Sequence, residues 1–328
     1  MGKYAIIGSN SFSGSSFVKH LCKGGHEVLG ISRSPEIHPV FSAYAGKTGG
    51  GFSFRQLDLN HDLDGVTTAL GDFRPDYVVN FAAQGMVAQS WEQPGDWFQT
   101  NAVATVKLHD ELRKFDWLRK YVHISTPEVY GSCKGLVRED HPFSPSTPYA
   151  VSRAAADMSL LSFIKAYEFP VVFTRAANVY GEHQQLYRII PRTILYFLTG
   201  NKLQLHGGGT SVRSFIHIED VCEGTKRAAE RGQTGEVFHF ATEQNISIRS
   251  LVELIAKRLG ARFEDQVEVT GERLGKDAAY LLDCTLAKER LNWQPEIPLE
   301  EGLDRTTAWV QGNLEELGQQ PQVYVHKS

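Results

Sequence analysis

Residues 4–14, YAIIGSNSFSG, constrain the fold more than any other stretch of this chain. An apolar run enters a glycine- and serine-rich turn. The segment that follows, SSFVKHLCKGG, carries apolar residues at Phe17, Val18, Leu21 and Cys22 before a Gly-Gly stop. That order reads as strand, loop, helix. Such a loop turns backbone N–H groups and the positive end of a helix dipole toward an anion, the arrangement that takes a dinucleotide pyrophosphate. Gly8 and Gly14 permit the tight turn and the close backbone approach, and Asn10 and Phe12 sit between them. Ser11 falls where the middle glycine of G-x-x-G-x-x-G would stand. It is small and brings a hydroxyl.

Strands and helices then alternate. Strands are predicted over 27–33, 52–59, 76–83, 121–126 and 171–181, with helices over about 98–115 and 149–167. Runs such as DYVVNFAA are continuously apolar, as in strands covered on both faces. The predicted class is α/β, a doubly wound parallel (Rossmann-type) sheet with a smaller α/β C-terminal substrate lobe. Residues 1–181 would hold NAD(P), and 182–328 would mainly hold the substrate, with 214–242 returning to the first domain. RIIPRTILYFLTG reads as a helix broken at Pro191, and the closing GQQPQVYVHKS as peripheral.

Composition narrows the class. The 328 residues suffice for a substantial core, and 34 basic against 38 acidic side chains leave a net charge of -4. That balance argues against a nucleic-acid partner. No apolar run approaches the roughly 18 residues of a membrane span, and the N-terminal apolar stretch is short for a signal peptide. The four cysteines (Cys22, Cys133, Cys222, Cys284) lack metal-site spacing. They read as reduced thiols in a cytoplasmic protein without a structural metal.

Asp58 and Leu59 follow the third strand, where a carboxylate can meet an adenine amino group. The second strand ends in Ser32, Arg33 and Ser34 rather than in an acid. A cation flanked by hydroxyls suits a 2′-phosphate, so NADP is favoured over NAD. Thr126 and Glu128 fall at the C-terminal end of a buried strand, where open α/β sheets place their sites. Tyr149 and Arg153 lie four residues apart, on one face of a helix. Lowering a phenol's pKa by about 3 units takes about 4 kcal/mol. A cation about 4–5 Å away, at an effective dielectric near 20, supplies energy of that order. A tyrosine, a cation and a hydroxyl so placed can take a hydroxyl proton while hydride leaves the adjoining carbon.

At these residues the chain resembles the extended short-chain dehydrogenase/reductases, and among them the nucleotide-sugar 4,6-dehydratases that act on dTDP-glucose and GDP-mannose. NFAAQGMVAQSWEQP, ISTPEVYG, SPSTPYAVSRAAAD, RAANVYG, VRSFIHIEDV, RLGKDAAYLLD and LNWQP match that family's landmarks in order. The resemblance implies a tightly bound, recycled NAD(P) and a nucleoside-diphosphate sugar as substrate. Tyr149 would take the C4 hydroxyl proton with Thr126 bonded to the same oxygen, and Glu128 would take the C5 proton. Water would leave from C6 and hydride return there. It also places Ala82, Ala83 and Asn101 among the cofactor contacts, and Gln84, Asn178, Arg188, Arg213 and Arg273 among those to substrate. A homodimer through the helices near 98–115 and 149–167 is implied too. Arg153 departs from the family's lysine, and Pro127 stands where the dTDP-glucose enzymes carry the acid that protonates the departing hydroxyl. The alternatives are a 4-epimerase, a dehydratase of altered regiochemistry, or a non-catalytic nucleotide-binding protein. Retention of Glu128 favours the dehydratase, because a 4-epimerase needs no base at C5.

Overall fold

The computed structural model describes residues 1–46, 48–133, 135–271 and 281–327. The strands of the first half are β1 (Lys3–Ile7), β2 (Glu27–Ser32), β3 (Phe52–Gln56), β4 (Tyr77–Asn80), β5 (Lys120–Ile124), the short β6 (Leu136–Val137) and β7 (Val171–Ala176). Beyond them come β8 (Asn178–Tyr180), β9 (Leu203–His206), β10 (Val212–His217), β11 (Val237–Phe240), β12 (Asn245–Ser247), β13 (Val267–Thr270) and β14 (Leu281–Leu282). Seven of these form one parallel sheet in the order β11-β7-β5-β4-β1-β2-β3. Strand order reverses between β1 and β4, which opens a crevice at the strands' carboxyl ends.

Alternation along β1 feeds a core on each face of the sheet. Tyr4 and Ile6 pack with Phe17, Val18 and Leu21 of α1 (Phe12–Lys23). Ala5 and Ile7 pack on the other side, against Val66 and Leu70 of α2 (Leu63–Phe73). The helical run after β4 comprises α3 (Pro94–Phe98), a π-helical stretch at Gln99–Ala104 and α4 (Thr105–Leu112), so it starts earlier than expected and stops at Leu112. With α5 (Pro148–Tyr167) it completes the second layer through Leu108, Leu112 and Leu160.

The predicted strand 171–181 is divided between two sheets. The chain leaves the main sheet after Ala176, and Asn178–Tyr180 joins β10 and β12 in a three-stranded sheet. The helix α6 (Ile189–Thr199) runs unbroken through Pro191. Proline there sits in the first turn, where an N–H has no helical acceptor, so its missing donor costs nothing. Next, α7 (Ile218–Arg231) packs on α1, and β11 extends the main sheet beside β7. Residues 218–240 thus lie on the main sheet, while 214–217 belong to β10 of the small one. Ile190, Ile194 and Leu195 of α6 form a third core with Leu251 and Ile255 of α8 (Ile248–Leu259) and with Leu303 and Val310. Among the described residues no helix is long and apolar enough to cross a membrane, and no cluster of His, Cys, Asp and Glu could hold a metal.

Candidate active site

A cleft of about 960 Å³ opens over the carboxyl ends of β1, β2, β4 and β5 and runs to the smaller lobe. Its floor is the loop after β1. Gly8 has φ +84°, and a Cβ on it would come within 2.6 Å of the Ala82 nitrogen. A Cβ on Gly14 would come within 2.2 Å of the Gly8 carbonyl oxygen. Both positions therefore require glycine. The Ser11 hydroxyl donates to the Gly8 carbonyl (2.8 Å) and accepts from the Gly14 amide (3.0 Å), so it caps α1. Phe12 and Ser13, whose amides no helical carbonyl takes, line the cleft beside it. This glycine cradle at a helix start, in the crevice where strand order reverses, fits a dinucleotide pyrophosphate.

Gly8, Asn10, Ser11, Phe12, Ser32, Arg33, Asp58, Leu59, Ala82 and Ala83 all meet at this end of the cleft. Several of their polar groups have internal partners. The Asn10 side chain donates to the Ser34 and Pro35 carbonyls (2.9 and 2.8 Å), and the Ser32 hydroxyl accepts from the Asn10 amide (3.0 Å). Asp58 accepts from the Asn60 amide at 2.8 Å. Arg33 donates to the Lys327 carbonyl at 2.9 Å.

At the other end, Thr126, Glu128 and Tyr149 share one wall. Thr126 follows β5 and caps the 3-10 turn Pro127–Tyr130, its hydroxyl accepting from the Glu128 amide (3.3 Å). Tyr149 lies in the first turn of α5 and reaches the Thr126 hydroxyl. Burial, then the Glu128 carboxylate, raise the Tyr149 pKa above its ordinary value, while Arg153, Thr126 and Arg188 act in the opposite direction. The expected depression of the phenol by Arg153 is thus outweighed.

Arg153 itself is off the cleft wall. It is 3% exposed, its guanidinium donates to the Ile124 carbonyl, and its Nε has no hydrogen-bond partner. Asn101, in the π-helical stretch, is also fully buried. Its amide group accepts from the Gln84 amide (2.8 Å) and donates to the Gln84 carbonyl and the Ser152 hydroxyl (3.0 Å each). It ties the strand-end loop to α5 rather than facing the cleft.

Gln84, Asn178, Arg188 and Arg213 line the cleft toward the smaller lobe. Arg188 precedes α6, and Arg213 projects from β10 with an N–H on the Val212 carbonyl (2.8 Å). Arg273 lies outside the described residues.

Other features had weaker sequence signals. Asp157, two turns beyond Tyr149, accepts from the Ser125 hydroxyl (2.7 Å) and from Arg175 (2.8 Å) in a fully buried cluster with His123. The only sequence hint was an acid at fixed spacing in the α5 motif. Residues 321–327, expected to be peripheral, instead lie across the cleft, and Tyr324, Val325 and Lys327 line it. A seven-residue extended segment leaves no helical period from which docking could be read.

A parallel sheet with a glycine cradle at its switch point, and a tyrosine, a threonine and a glutamate at the next strand end, define an extended short-chain dehydrogenase/reductase. The comparisons narrow the class. The family described as GDP-mannose 4,6 dehydratase matches residues 6–306. A dTDP-glucose 4,6-dehydratase of Streptomyces antibioticus is 32% identical over 94% of this chain and 92% of its own length. The solved dTDP-glucose 4,6-dehydratase of Streptomyces venezuelae, with NAD bound, superposes with a TM-score of 0.87 at 28% identity, covering 96% of this chain and 98% of that one. A UDP-glucuronic acid 4-epimerase of Bacillus cereus, in complex with UDP-glucuronic acid and NAD, reaches 0.86 at 26% identity, covering 94% and 99%. The chain belongs to the nucleotide-sugar dehydratase family of NAD-binding extended short-chain dehydrogenase/reductases.

Proposed function

We propose that the protein is a nucleoside-diphosphate-hexose 4,6-dehydratase, forming a 4-keto-6-deoxy sugar nucleotide. The observation that carries this reading is the shared wall of Thr126, Glu128 and Tyr149, with Glu128 near enough to raise the phenol's pKa. Tyr149 takes the C4 hydroxyl proton while Thr126 holds the same oxygen. Glu128 then takes the proton from C5, which the neighbouring ketone has acidified, and the C6–O bond breaks with that proton going to the departing hydroxyl, which leaves as water. A dinucleotide bound on the Gly8–Gly14 loop supplies the hydride acceptor for C4 and returns that hydride at C6. Arg188 and Arg213, and by family position Arg273 and Asn178, hold the diphosphate, which suits the bidentate fork of a guanidinium.

The cofactor reading is NAD. The solved relatives carry NAD, and the NADP expectation from Arg33 gains no support from them. Residues 1–181 with the 218–240 return hold the cofactor, and the remainder holds most of the sugar nucleotide. Pairing of two copies through α3–α5 would cover the exposed Phe98, Val103, Val151, Met158 and Leu161.

Pro127 offers no acid for the departing C6 hydroxyl, and that favours a second reading, a 4-epimerase. Turnover of nucleoside-diphosphate hexoses in deuterated water separates the two. The dehydratase product has lost water and carries deuterium at C5, whereas epimerisation changes no mass. Glu128→Gln is expected to lower dehydration about 10²–10⁴-fold. Full dehydration by that variant would overturn the reading.

A further inference from the structure

Residues 321–327 form a strap whose burial alternates: Gln322, Tyr324 and His326 are half-buried, and Val323, Val325 and Lys327 are exposed. Both walls of the cleft anchor it. On the smaller lobe, Arg192 donates to the Gln322 carbonyl (2.8 Å) and the Tyr324 ring meets Tyr187 edge-on. On the sheet side, His326 stacks on Trp97 at 5.0 Å and contacts the Asp96 carboxylate at 2.6 Å. Beyond this latch, the Lys327 carbonyl accepts from Arg33 (2.9 Å) and from the Gln84 side chain (2.6 Å). Arg33 follows β2 and Gln84 follows β4, with β1 between them. Adjacent strands lie about 4.8 Å apart, so this carbonyl joins residues whose strands stand about 10 Å apart.

We propose that this strap selects the cofactor: by drawing Arg33 onto the Lys327 carbonyl, it closes the corner at the end of β2 to a 2′-phosphate and leaves the cleft to the unphosphorylated dinucleotide. The inference rests on the reading that the Gly8–Gly14 loop holds NAD. A 2′-phosphate is recognised best by a guanidinium presenting paired N–H groups. Here an N–H of Arg33 is committed to a neutral carbonyl. The Ser32 hydroxyl accepts from the Asn10 amide and the Ser34 carbonyl from the Asn10 side chain, which ties this corner to the phosphate loop. The basic residue that suggests NADP in the sequence is thereby turned into an anchor for the strap.

The test is fluorescence titration of NADH and NADPH into protein stripped of dinucleotide. It compares the full chain, the unlatched Tyr324→Ala/His326→Ala variant, and that variant with Arg33→Ala added, with circular dichroism confirming that each is folded. The full chain is expected to bind NADH at least about tenfold more tightly than NADPH. The unlatched chain should gain about tenfold in NADPH affinity relative to NADH, and adding Arg33→Ala should abolish that gain. An unchanged ratio on unlatching, or a gain that survives without Arg33, overturns the strap's role. Failure of the full chain to bind either dinucleotide overturns the functional reading itself.

Discussion

Replacing Asp157 with asparagine tests whether the buried cluster behind the site holds the catalytic strand end in place. Asp157 is 1% exposed and Arg175 2%. Its Oδ2 accepts from Arg175 at 2.8 Å and from Ser125 at 2.7 Å, and its Oδ1 faces His123 at 3.2 Å. Asparagine leaves the buried guanidinium without its counter-charge, and breaking a buried pair from one side costs about 3–5 kcal/mol. Against a total stability of about 5–15 kcal/mol, that loss is plain in urea unfolding at pH 7. The double change Asp157→Leu/Arg175→Met removes both charges and should recover most of it, because an apolar replacement of a buried pair is often neutral. The pH dependence is fixed by the direction of the shift. Burial pushes the carboxyl pKa up, but Arg175 and His123 together hold it well below its ordinary value. A depressed carboxyl stabilises the fold above its unfolded pKa near 3.9, and that contribution fades as pH falls through the lower folded value. Asp157→Asn should therefore flatten the acid limb of stability below about pH 4. Because Ser125 joins the Arg153 anchor at Ile124 to Thr126, kcat should fall more than KM changes. A single-variant loss under about 1 kcal/mol with an unaltered acid limb would refute the reasoning.

Three further outcomes are expected. Gly14→Ala drives a Cβ into the Gly8 carbonyl at 2.2 Å, so dinucleotide binding should be lost in titration even where circular dichroism reports a folded chain. Ser11→Ala removes the α1 cap and should cost about 1 kcal/mol in urea unfolding, whereas Ser11→Gly should cost only a few tenths. Arg153→Met removes the first of the groups that oppose the rise in the Tyr149 pKa, so the ascending limb of the kcat/KM profile, where Tyr149 must lose its proton to act as the base, should move to higher pH. Its rate at neutral pH should fall about 10²–10⁴-fold, and Arg153→Lys should retain more of it.

The layered fold was legible because strand, glycine loop and helix each follow from local chemistry: an apolar run, a positive φ at Gly8, and an amphipathic stretch closed by glycines. The division of 171–181 was not, because RAANVYG carries no proline, and no glycine before Gly181, to mark the place at Ala177 where the chain passes from one sheet to another. Pro191 misled for a different reason: a proline ends a helix only where its N–H would have had an acceptor. In the candidate site, Thr126, Glu128 and Tyr149 could be placed from spacing on one strand end and one helix. The inward turn of Arg153 onto Ile124 and the closure of Asn101 on Gln84 could not, since each depends on partners distant in sequence. The strap was the least legible part, having neither period nor motif.

The departures from the family pattern argue for an intact site rather than a decaying one. Ser11 replaces a glycine, yet its hydroxyl closes the loop onto Gly8 and caps α1, so the cradle keeps its shape. Pro127 replaces an acid, yet it occupies the first position of a 3-10 turn, where its fixed φ is favourable and no helical donor is lost. Arg153 replaces a lysine, yet the longer side chain reaches the Ile124 carbonyl and still opposes the rise in the phenol's pKa. A chain released from catalysis would have no reason to absorb each change within the local geometry, nor to keep Glu128 beside Tyr149, where its charge works against ionisation of the phenol. A carboxylate there penalises the proton transfer at C4, and on the proposed dehydratase reading it takes part in a later step. Removal of the C5 proton is the step that a dehydratase requires and an epimerase does not.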